Sequence, residues 1–280
     1  MAGRLREFLR CDHKFRRILA RLAWTAKRLR IRLALLRLVK SRRNSEMILR
    51  NGLVITHVDP DIELAFEEIW IRGDYTRSGF EVHPGDVVVD IGAHVGLFTL
   101  YAAHRARAGR VISYEPSSPA FRLLQKNLRR NALRNVTAHN LAVAGRSGER
   151  TLFSRPDRRM GSSLYEENFT AESLRPIASE SVRCVTLEEV FGSNSITACD
   201  FLKMDCERSE YEIFQSVPDR IWRLIRRIAM EYHVAGSGKD AEGLLRLLKA
   251  QGFRVRYHPF PGTMTRGLLY AVRAADSARS

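Results

Sequence analysis

The stretch VVVDIGAHVG at residues 87–96 decides the fold of this 280-residue chain. Its apolar first half predicts a strand that is buried on both faces, since such strands read as nearly continuous apolar runs. Gly92 and Gly96 follow, and a helix is predicted from Val95 onward. Glycines allow the backbone to approach a ligand closely, and a helix N-terminus offers unpaired N–H groups. The stretch therefore predicts a strand, a ligand-binding loop and a helix.

The alternation of apolar runs and helical stretches continues to the end of the chain. Strands are predicted at residues 87–91, 110–114, 136–141, 201–204, 225–230, 253–257 and 268–272, and helices at 95–105, 119–131, 209–217 and 240–251. This pattern is typical of a mostly parallel, twisted sheet with helices on both faces. We therefore expect an α/β, Rossmann-like domain over residues 46–280. Its polar stretch 142–198 is expected to be an insertion or a lid-like region.

Polar or glycine-rich segments stand at the carboxyl ends of five predicted strands. They are the loop 90–96, Glu115-Pro116, Asn140, Asp205-Cys206-Glu207 and Glu231-Tyr232-His233. In open α/β sheets, ligands bind outside this edge. The five segments therefore predict one binding site.

The loop spacing distinguishes between two nucleotide cofactors. A nicotinamide fingerprint requires G-x-G-x-x-G, and His94 occupies the position of its second glycine. An acid followed by G-x-x-x-G is instead typical of S-adenosylmethionine sites, where Asp90 can face the ammonium group of the ligand. Glu115 can accept hydrogen bonds from both ribose hydroxyls, although dinucleotide enzymes place an acid similarly. We therefore expect S-adenosylmethionine as the cofactor, and a dehydrogenase is disfavoured.

These motifs resemble those of the FkbM-type methyltransferases, a class I S-adenosylmethionine-dependent family that acts mainly as O-methyltransferases. The resembling stretches run in family order within residues 46–258; they are residues 68–75, 89–96, 115–116, 127–131, 161–164, 202–207 and 231–233. Two positions depart from the family pattern. Arg208-Ser209 stands where the family has Gly-Ala, which implies a changed substrate side or weakened activity, and His94 replaces the usual Asn.

Most residues expected to bind the cofactor stand at the carboxyl ends of the first three predicted strands, and one, Tyr75, precedes the first strand. They are Asp90, Gly92, Ala93, Gly96, Glu115, Pro116, Asn140 and Tyr75. Asn140 is a candidate for hydrogen bonding to adenine, with an ordinary turn role as the alternative. Tyr75 is expected either to close over the cofactor or to pack in the core with Trp70. The resemblance also implies that Ser162 and Ser163 touch the methionine part or the acceptor.

An alcohol acceptor needs a group that takes its proton. The candidates are Asp205, Glu207, Glu231 and His233. His233 has the most suitable reference pKa, about 6.5, although a lone His at a strand end is also a frequent structural residue. Asp205 could alternatively cap the next helix. Glu207 could position a substrate hydroxyl or form an ion pair with Lys203 or Arg208.

The end of the strand predicted at residues 201–204 allows two further interpretations. Lys203 either neutralises the carboxylates or extends outward to solvent. Asp-x-Glu with a nearby His also resembles a set of ligands for a divalent metal, but no third ligand spacing supports it. No metal is therefore expected.

The positive charge of the chain is concentrated at its N-terminus. Residues 1–43 hold fifteen basic and two acidic residues, so that only +3 of the formal net charge of +16 belongs to the rest. Apolar residues three or four apart predict a long basic amphipathic helix in an arm over residues 1–45. Such a helix suits an anionic membrane surface; packing on the body of the protein or on a partner is the alternative. Nucleic-acid binding is disfavoured, because the body is nearly neutral.

The compartment and the activity follow from these features. Four cysteines without C-x-x-C spacing indicate a reducing compartment, and the absence of a long apolar run favours a cytoplasmic protein with peripheral membrane association. The expected activity is O-methylation of a sugar or another small hydroxylated metabolite, or of a lipid-linked glycan if the arm binds membranes. An RNA-modifying methyltransferase and a cofactor-binding scaffold without catalysis are the alternatives.

Overall fold

The computed structural model describes residues 33–34, 37–43, 45–57, 62–155, 158–166, 178–234, 241–261 and 265–274. The chain divides into two compact units, residues 1–53 and 54–280. In the first unit, strands β1 (Val39–Arg43) and β2 (Glu46–Leu49) pair antiparallel, on either side of the boundary expected at residue 45. The amphipathic helix expected before residue 39 lies largely outside the described residues, so its membrane role stays a prediction.

The second unit contains the remaining elements. In chain order they are β3 (Val54–Thr56), α1 (Ile62–Phe66) with a π-helical turn (Glu67–Ile71), β4 (Val87–Ile91), α2 (Leu97–Arg105), β5 (Arg110–Tyr114), α3 (Ser118–Arg130), β6 (Val136–His139), β7 (Ala142–Val143), β8 (Gly148–Arg155), β9 (Arg158–Ser163), β10 (Ala178–Val185), α4 (Leu187–Ser193), β11 (Phe201–Met204), α5 (Glu210–Ser216), α6 (Asp219–Trp222), β12 (Arg227–His233), α7 (Ala241–Ala250), β13 (Phe253–Pro259) and β14 (Arg266–Arg273). Strands β4, β5 and β11 have the bounds that the sequence predicts.

The main sheet of this unit has seven strands in the order β13-β14-β12-β11-β4-β5-β6. The five strands from β12 to β6 are parallel, and β14 runs antiparallel to both of its neighbours. This arrangement confirms the Rossmann-like α/β fold. It also brings the ends of β12, β11, β4 and β5 side by side, which is the edge where the sequence predicts a site.

Helices cover both faces of the main sheet. Val88 of β4 and Phe201 of β11 pack with Phe98 of α2 on one face. The neighbouring residues Val89 and Leu202 point to the other face, into a larger apolar cluster that includes side chains of α4 to α7. Alternate residues of each central strand are therefore buried on opposite sides, which explains the continuous apolar runs. In the described part of the chain, no helix is both long and apolar enough to cross a membrane.

The expected insertion at residues 142–198 contains a second, four-stranded sheet. Its strand order is β7-β10-β8-β9. The small apolar core of this sheet consists of Leu152, Val182 and Cys184, together with Ala142 of β7 and Ala144 just after β7. Helix α4 follows it and begins with a capping box, in which the side chains of Thr186 and Glu189 each accept a backbone N–H of the other residue. This region therefore has its own fold, and β9 ends next to the end of β11.

Candidate active site

The loop after β4 is held in left-handed conformations that suit glycine. Gly92 has φ of +76° and Gly96 has φ of +93°. A Cβ atom at Gly92 would lie 1.8 Å from the backbone oxygen of Asp205, and one at Gly96 would lie 2.5 Å from Cδ1 of Leu124. Packing against backbone therefore requires glycine at position 92, whereas at position 96 glycine is favoured mainly by its left-handed φ. The loop was expected to contact a ligand closely, and the structure shows that it also contacts the backbone after β11 closely.

Asp90 and Lys203 form a buried ion pair at the root of the loop. They face each other in the register of β4 and β11, and Lys203 Nζ lies 3.1 Å from Asp90 Oδ1. The ammonium also donates to the backbone oxygen of Gly92 at 2.7 Å, and Thr99 Oγ1 donates to Asp90 Oδ2 at 2.7 Å. Burial alone would lower the pKa of Lys203, but the carboxylates of Asp90 and Asp205 outweigh it and raise that pKa.

The ion pair corrects one expectation, for Asp90, and decides between the two alternatives for Lys203. Asp90 is fully buried and does not line the cavity, so in this structure its carboxylate faces Lys203 rather than a ligand's ammonium group. Lys203, which is 3% exposed, does not extend to solvent but neutralises a carboxylate. The sequence cannot show this pairing, because it depends on the register between two strands that are more than 100 residues apart.

Glu115 stands at the end of β5 with both carboxylate oxygens anchored. Oε2 accepts the backbone N–H of His94 at 2.7 Å, and Oε1 accepts that of Ser117 at 2.8 Å. Burial raises the pKa of Glu115 to about 7, although these two backbone hydrogen bonds and Lys203 act in the opposite direction. Each oxygen keeps further acceptor capacity toward the cavity. Glu115 lines the cavity, and its binding to a pair of ribose hydroxyls stays a prediction.

Asn140 has a different position from the one expected. Its Nδ2 donates to the backbone oxygens of Glu115 at 2.9 Å and of Pro116 at 2.8 Å, and the side chain does not line the cavity. The residue therefore fixes the chain that follows β5, which agrees with the turn role rather than with contact to adenine.

A cavity of 760 Å³ opens at this edge of the sheet. Its size is in the range of sites for small molecules. Of the eight residues expected to bind the cofactor, five line it: Gly92, Ala93, Glu115, Pro116 and Tyr75. Other residues of the cavity wall come from three peripheral segments. They are Leu64 of α1 and Glu68 of the π-helical turn after it, Ser162 of β9, and Phe260 and Arg266 near the β13–β14 turn.

Acidic side chains and one His meet on the side of the cavity formed by β11 and β12. Asp205, Glu207 and Glu231 line the cavity. Nε2 of His233 lies 3.4 Å from Glu207 Oε2 and 3.4 Å from Glu231 Oε1. Tyr75 Oη donates to Asp205 Oδ2 at 3.0 Å. All four catalytic candidates are therefore brought together.

Tyr75 packs against Phe98, and not against Trp70 as the alternative prediction had it. Its ring lies edge-on to Phe98, with ring centroids 5.8 Å apart, and its hydroxyl reaches Asp205. Burial, followed by the charge of Asp205, raises the pKa of Tyr75 well above its usual value, so the hydroxyl stays a donor.

His233 is oriented by a residue that the sequence reading did not assign. Nδ1 of His233 lies 3.2 Å from Oε1 of Glu210, which is fully buried at the start of α5. Burial alone would lower the pKa of His233, but Glu207 and Glu210 outweigh it and raise that pKa well above its usual value. The signal for Glu210 is present in the Asp-x-Glu-x-x-Glu spacing of residues 205–210. Its role becomes visible only once β12 is placed beside β11.

The segment Glu207–Ser209 departs from the family pattern without disturbing this cluster. Arg208 has φ of +84°, a conformation that glycine adopts without strain. Ser209, and not Asp205, is the N-cap residue of α5, so the helix-cap alternative for Asp205 is wrong. Ser163 of β9 donates to the backbone oxygen of Glu207 at 2.8 Å. The small sheet therefore supports the position of Glu207.

The sheet order, the glycine loop and the acid at the end of β5 define a class I methyltransferase. The family model of the methyltransferase FkbM domain matches residues 90–255. The chain therefore belongs to the FkbM methyltransferase family, and its cofactor is S-adenosylmethionine.

Characterised relatives support the same assignment. The chain is 30% identical to the 31-O-demethyl-FK506 methyltransferase FkbM of Streptomyces tacrolimicus, over 74% of this chain and 88% of that protein. It is also 30% identical to the AMB antimetabolite synthetase AmbE of Pseudomonas aeruginosa, over 70% of this chain but only 11% of AmbE.

A solved structure shares the fold. The crystal structure of the methyltransferase FkbM from Methylobacillus flagellatus superposes with a TM-score of 0.50 at 15% sequence identity. The match covers 74% of this chain and 47% of that chain.

Proposed function

We propose that the chain transfers the methyl group of S-adenosylmethionine to a hydroxyl group of a sugar or another small metabolite. The observation that carries this proposal is the position of the acidic cluster. Asp205, Glu207 and Glu231 line the same cavity as Gly92 and Glu115. A methyl donor on the loop and a hydroxyl acceptor beside the cluster would therefore meet inside one cavity.

The cofactor supplies a methyl group activated by its sulfonium: the acceptor oxygen forms the new O–C bond, the S–C bond breaks, and its electron pair stays on sulfur. The protein has to hold the two reactants in line and to take the hydroxyl proton. Glu115 and the loop hold the donor side. The carboxylate of Glu207 is the proposed proton acceptor, and Tyr75 holds Asp205 in place through its 3.0 Å hydrogen bond.

Two features favour a small hydroxylated acceptor over RNA. Five acidic side chains and three Lys or Arg side chains line the cavity, a balance that does not favour a phosphate backbone. The relative from Streptomyces tacrolimicus carries a name that describes methylation of an O-demethyl compound. A lipid-linked glycan is the proposed acceptor only if residues 1–43 bind membranes.

Calorimetric titration tests the donor side. The full chain is titrated with S-adenosylhomocysteine, with NAD as the control. Micromolar binding of S-adenosylhomocysteine alone is expected. Binding of NAD, or of neither compound by a folded sample, would contradict the proposal. Transfer is then measured with labelled S-adenosylmethionine and a panel of hydroxylated acceptors, with RNA as the comparison.

A further inference from the structure

We infer that Asp205, Glu231 and His233 form a binding site for a divalent cation of the Mg²⁺ or Mn²⁺ type. One potential ligand atom from each of the three residues lies within 4.8 Å of the other two. This inference deepens the proposed function and rests on it for the role of the cation toward the acceptor. The presence of the site can be tested separately.

The distances between the ligand atoms fit one shared ion. Bonds of about 2.1 Å in an octahedral site place neighbouring ligands about 3 Å apart and opposite ligands about 4.2 Å apart. Nε2 of His233 lies 3.4 Å from Oε1 of Glu231. The remaining separations are at most 4.8 Å, so an opposite pair of ligand atoms would close by at most about 0.6 Å and a neighbouring pair by at most about 1.8 Å when an ion binds.

The surroundings of His233 match those of a metal-bound imidazole. Such rings usually donate their second N–H to a carboxylate, which fixes the tautomer and the orientation of the ring. Nδ1 of His233 lies 3.2 Å from the buried carboxylate of Glu210. The other ring nitrogen, Nε2, lies 3.4 Å from Oε2 of Glu207 and 3.4 Å from Oε1 of Glu231, so it points to the position that an ion would share with Glu231.

Asp205 has a comparable support. Oδ2 accepts the hydroxyl hydrogen of Tyr75 at 3.0 Å, so the carboxylate is held toward the cavity. Two carboxylates and one imidazole are a ligand set that suits Mn²⁺ and Mg²⁺ better than the thiolate sites of softer metals. Ligands of this kind leave coordination positions for water or for an acceptor oxygen.

The proposed ion has a defined role in transfer. It would lie between the cavity and His233 and stabilise the negative charge that develops on the acceptor oxygen as its proton leaves. Glu207, whose Oε2 lies 3.4 Å from His233 Nε2, would then take the proton. The cation is neither consumed nor oxidised.

The test is a titration of chelator-treated full chain with Mn²⁺, followed by the electron paramagnetic resonance signal of the free ion. One site is expected, and it should be present with and without S-adenosylhomocysteine. Asp205→Asn and His233→Gln should each weaken Mn²⁺ binding at least about tenfold, as should Glu210→Gln, which acts through His233. Glu68→Gln is the matched control, because Glu68 lines the cavity outside the ligand set, and it should change Mn²⁺ affinity less than about threefold.

Two other results would overturn the inference. One is no Mn²⁺ binding by a sample that binds S-adenosylhomocysteine. The other is Mn²⁺ binding that survives both Asp205→Asn and His233→Gln, since the ion would then lie elsewhere. Methyl transfer that is unchanged after removal of metal would overturn the role toward the acceptor. Loss of S-adenosylhomocysteine binding in the unmodified chain would instead contradict the proposed function, so the two failures can be told apart.

Discussion

The hydroxyl of Tyr75 donates a 3.0 Å hydrogen bond to Oδ2 of Asp205, which joins the segment before β4 to the end of β11. The two residues are 130 positions apart in the sequence. Tyr75→Phe should remove this bond and leave the ring packing on Phe98 intact. Because Asp205 faces the cavity, water can replace the lost donor, so the free energy of unfolding should fall by about 1 kcal/mol.

Methyl transfer should respond more strongly than stability. We expect Tyr75→Phe to lower kcat roughly tenfold, since a hydrogen bond to a charged group contributes about 1.5–3 kcal/mol, with little change in S-adenosylhomocysteine affinity. An unchanged kcat would remove Tyr75 from the positioning of Asp205.

Lys203→Met should leave the carboxylate of Asp90 buried without its cation. Removing one partner of a buried ion pair typically costs about 3–5 kcal/mol, and denaturant unfolding measures this loss. The double variant Asp90→Asn/Lys203→Met should recover much of it, because no buried charge remains. A double variant whose loss of stability equals the sum of the losses in Lys203→Met and in Asp90→Asn would show that the two side chains act independently.

Arg208→Gly tests the strained backbone after Glu207. Arg208 has φ of +84°, and a left-handed conformation costs a residue with a side chain about 1–2 kcal/mol. We expect the free energy of unfolding to rise by about 1 kcal/mol, with S-adenosylhomocysteine binding retained.

The control for this variant is Arg223→Gly. Arg223 has φ of −66°, so glycine there brings no relief and should lower stability by about 0.5–1 kcal/mol. A loss of stability in Arg208→Gly would show that the arginine side chain contributes more than its backbone costs.

Gly92→Ala should disrupt the loop and the end of β11 together. The added Cβ would lie 1.8 Å from the backbone oxygen of Asp205 at a φ of +76°. Thermal unfolding should occur at a lower temperature, and binding of S-adenosylhomocysteine should be lost. Gly85→Ala is the matched control, because nothing lies within 4 Å of its Cβ position, and its stability should stay within about 0.5 kcal/mol of the parent. Normal cofactor binding by Gly92→Ala would contradict the packing argument.

Cofactor affinity should depend on the ionisation of Glu115. Burial raises its pKa from 4.5 to about 7, so ionisation is disfavoured in the free protein and this group's contribution to stability decreases as pH rises from 4.5 to about 7. Ribose hydroxyls that donate to the carboxylate favour the ionised form. S-adenosylhomocysteine should therefore bind up to about tenfold more weakly at pH 6 than at pH 8.

Calorimetry over this pH range measures the effect. Glu207→Gln serves as the control, because the pKa of Glu207 is also raised to about 7, by burial against the opposing charge of His233. If the pH dependence disappears in Glu207→Gln, the titrating carboxylate is that of Glu207, and the prediction for Glu115 is wrong.

The central strands could be predicted from the sequence because burial on both faces makes them continuous apolar runs. The bounds of Val87–Ile91, Arg110–Tyr114 and Phe201–Met204 follow directly from this pattern. The hairpin Val39–Arg43/Glu46–Leu49 was not predicted, since its first strand is mostly basic and the apolar run of its second strand has only three residues. Helix α4 was not predicted, because its residues lie within the polar stretch 142–198 that was interpreted as an insertion or a lid-like region.

The candidate site was predictable as a set of strand ends but not as a set of contacts. The sequence places Asp205, Glu231 and His233 at one edge, because parallel strands end together. It does not show that Lys203 neutralises Asp90, or that Glu210 orients His233. Both depend on the spatial order of β4, β11 and β12, in which β11 lies between two strands although β4 is more than 100 residues away from it in the sequence.

The contact between Gly92 and the backbone of Asp205 limits which residues can stand at position 92. The Cβ of any other residue would meet a backbone oxygen that every residue at position 205 also carries, so the restriction falls on position 92 and not on the side chain at position 205. The outer walls of the cavity come instead from α1 with the π-helical turn after it, from β9 and from the β13–β14 turn. Substitutions in these segments should therefore alter the shape of the cavity while the junction between the glycine loop and β11 stays in place.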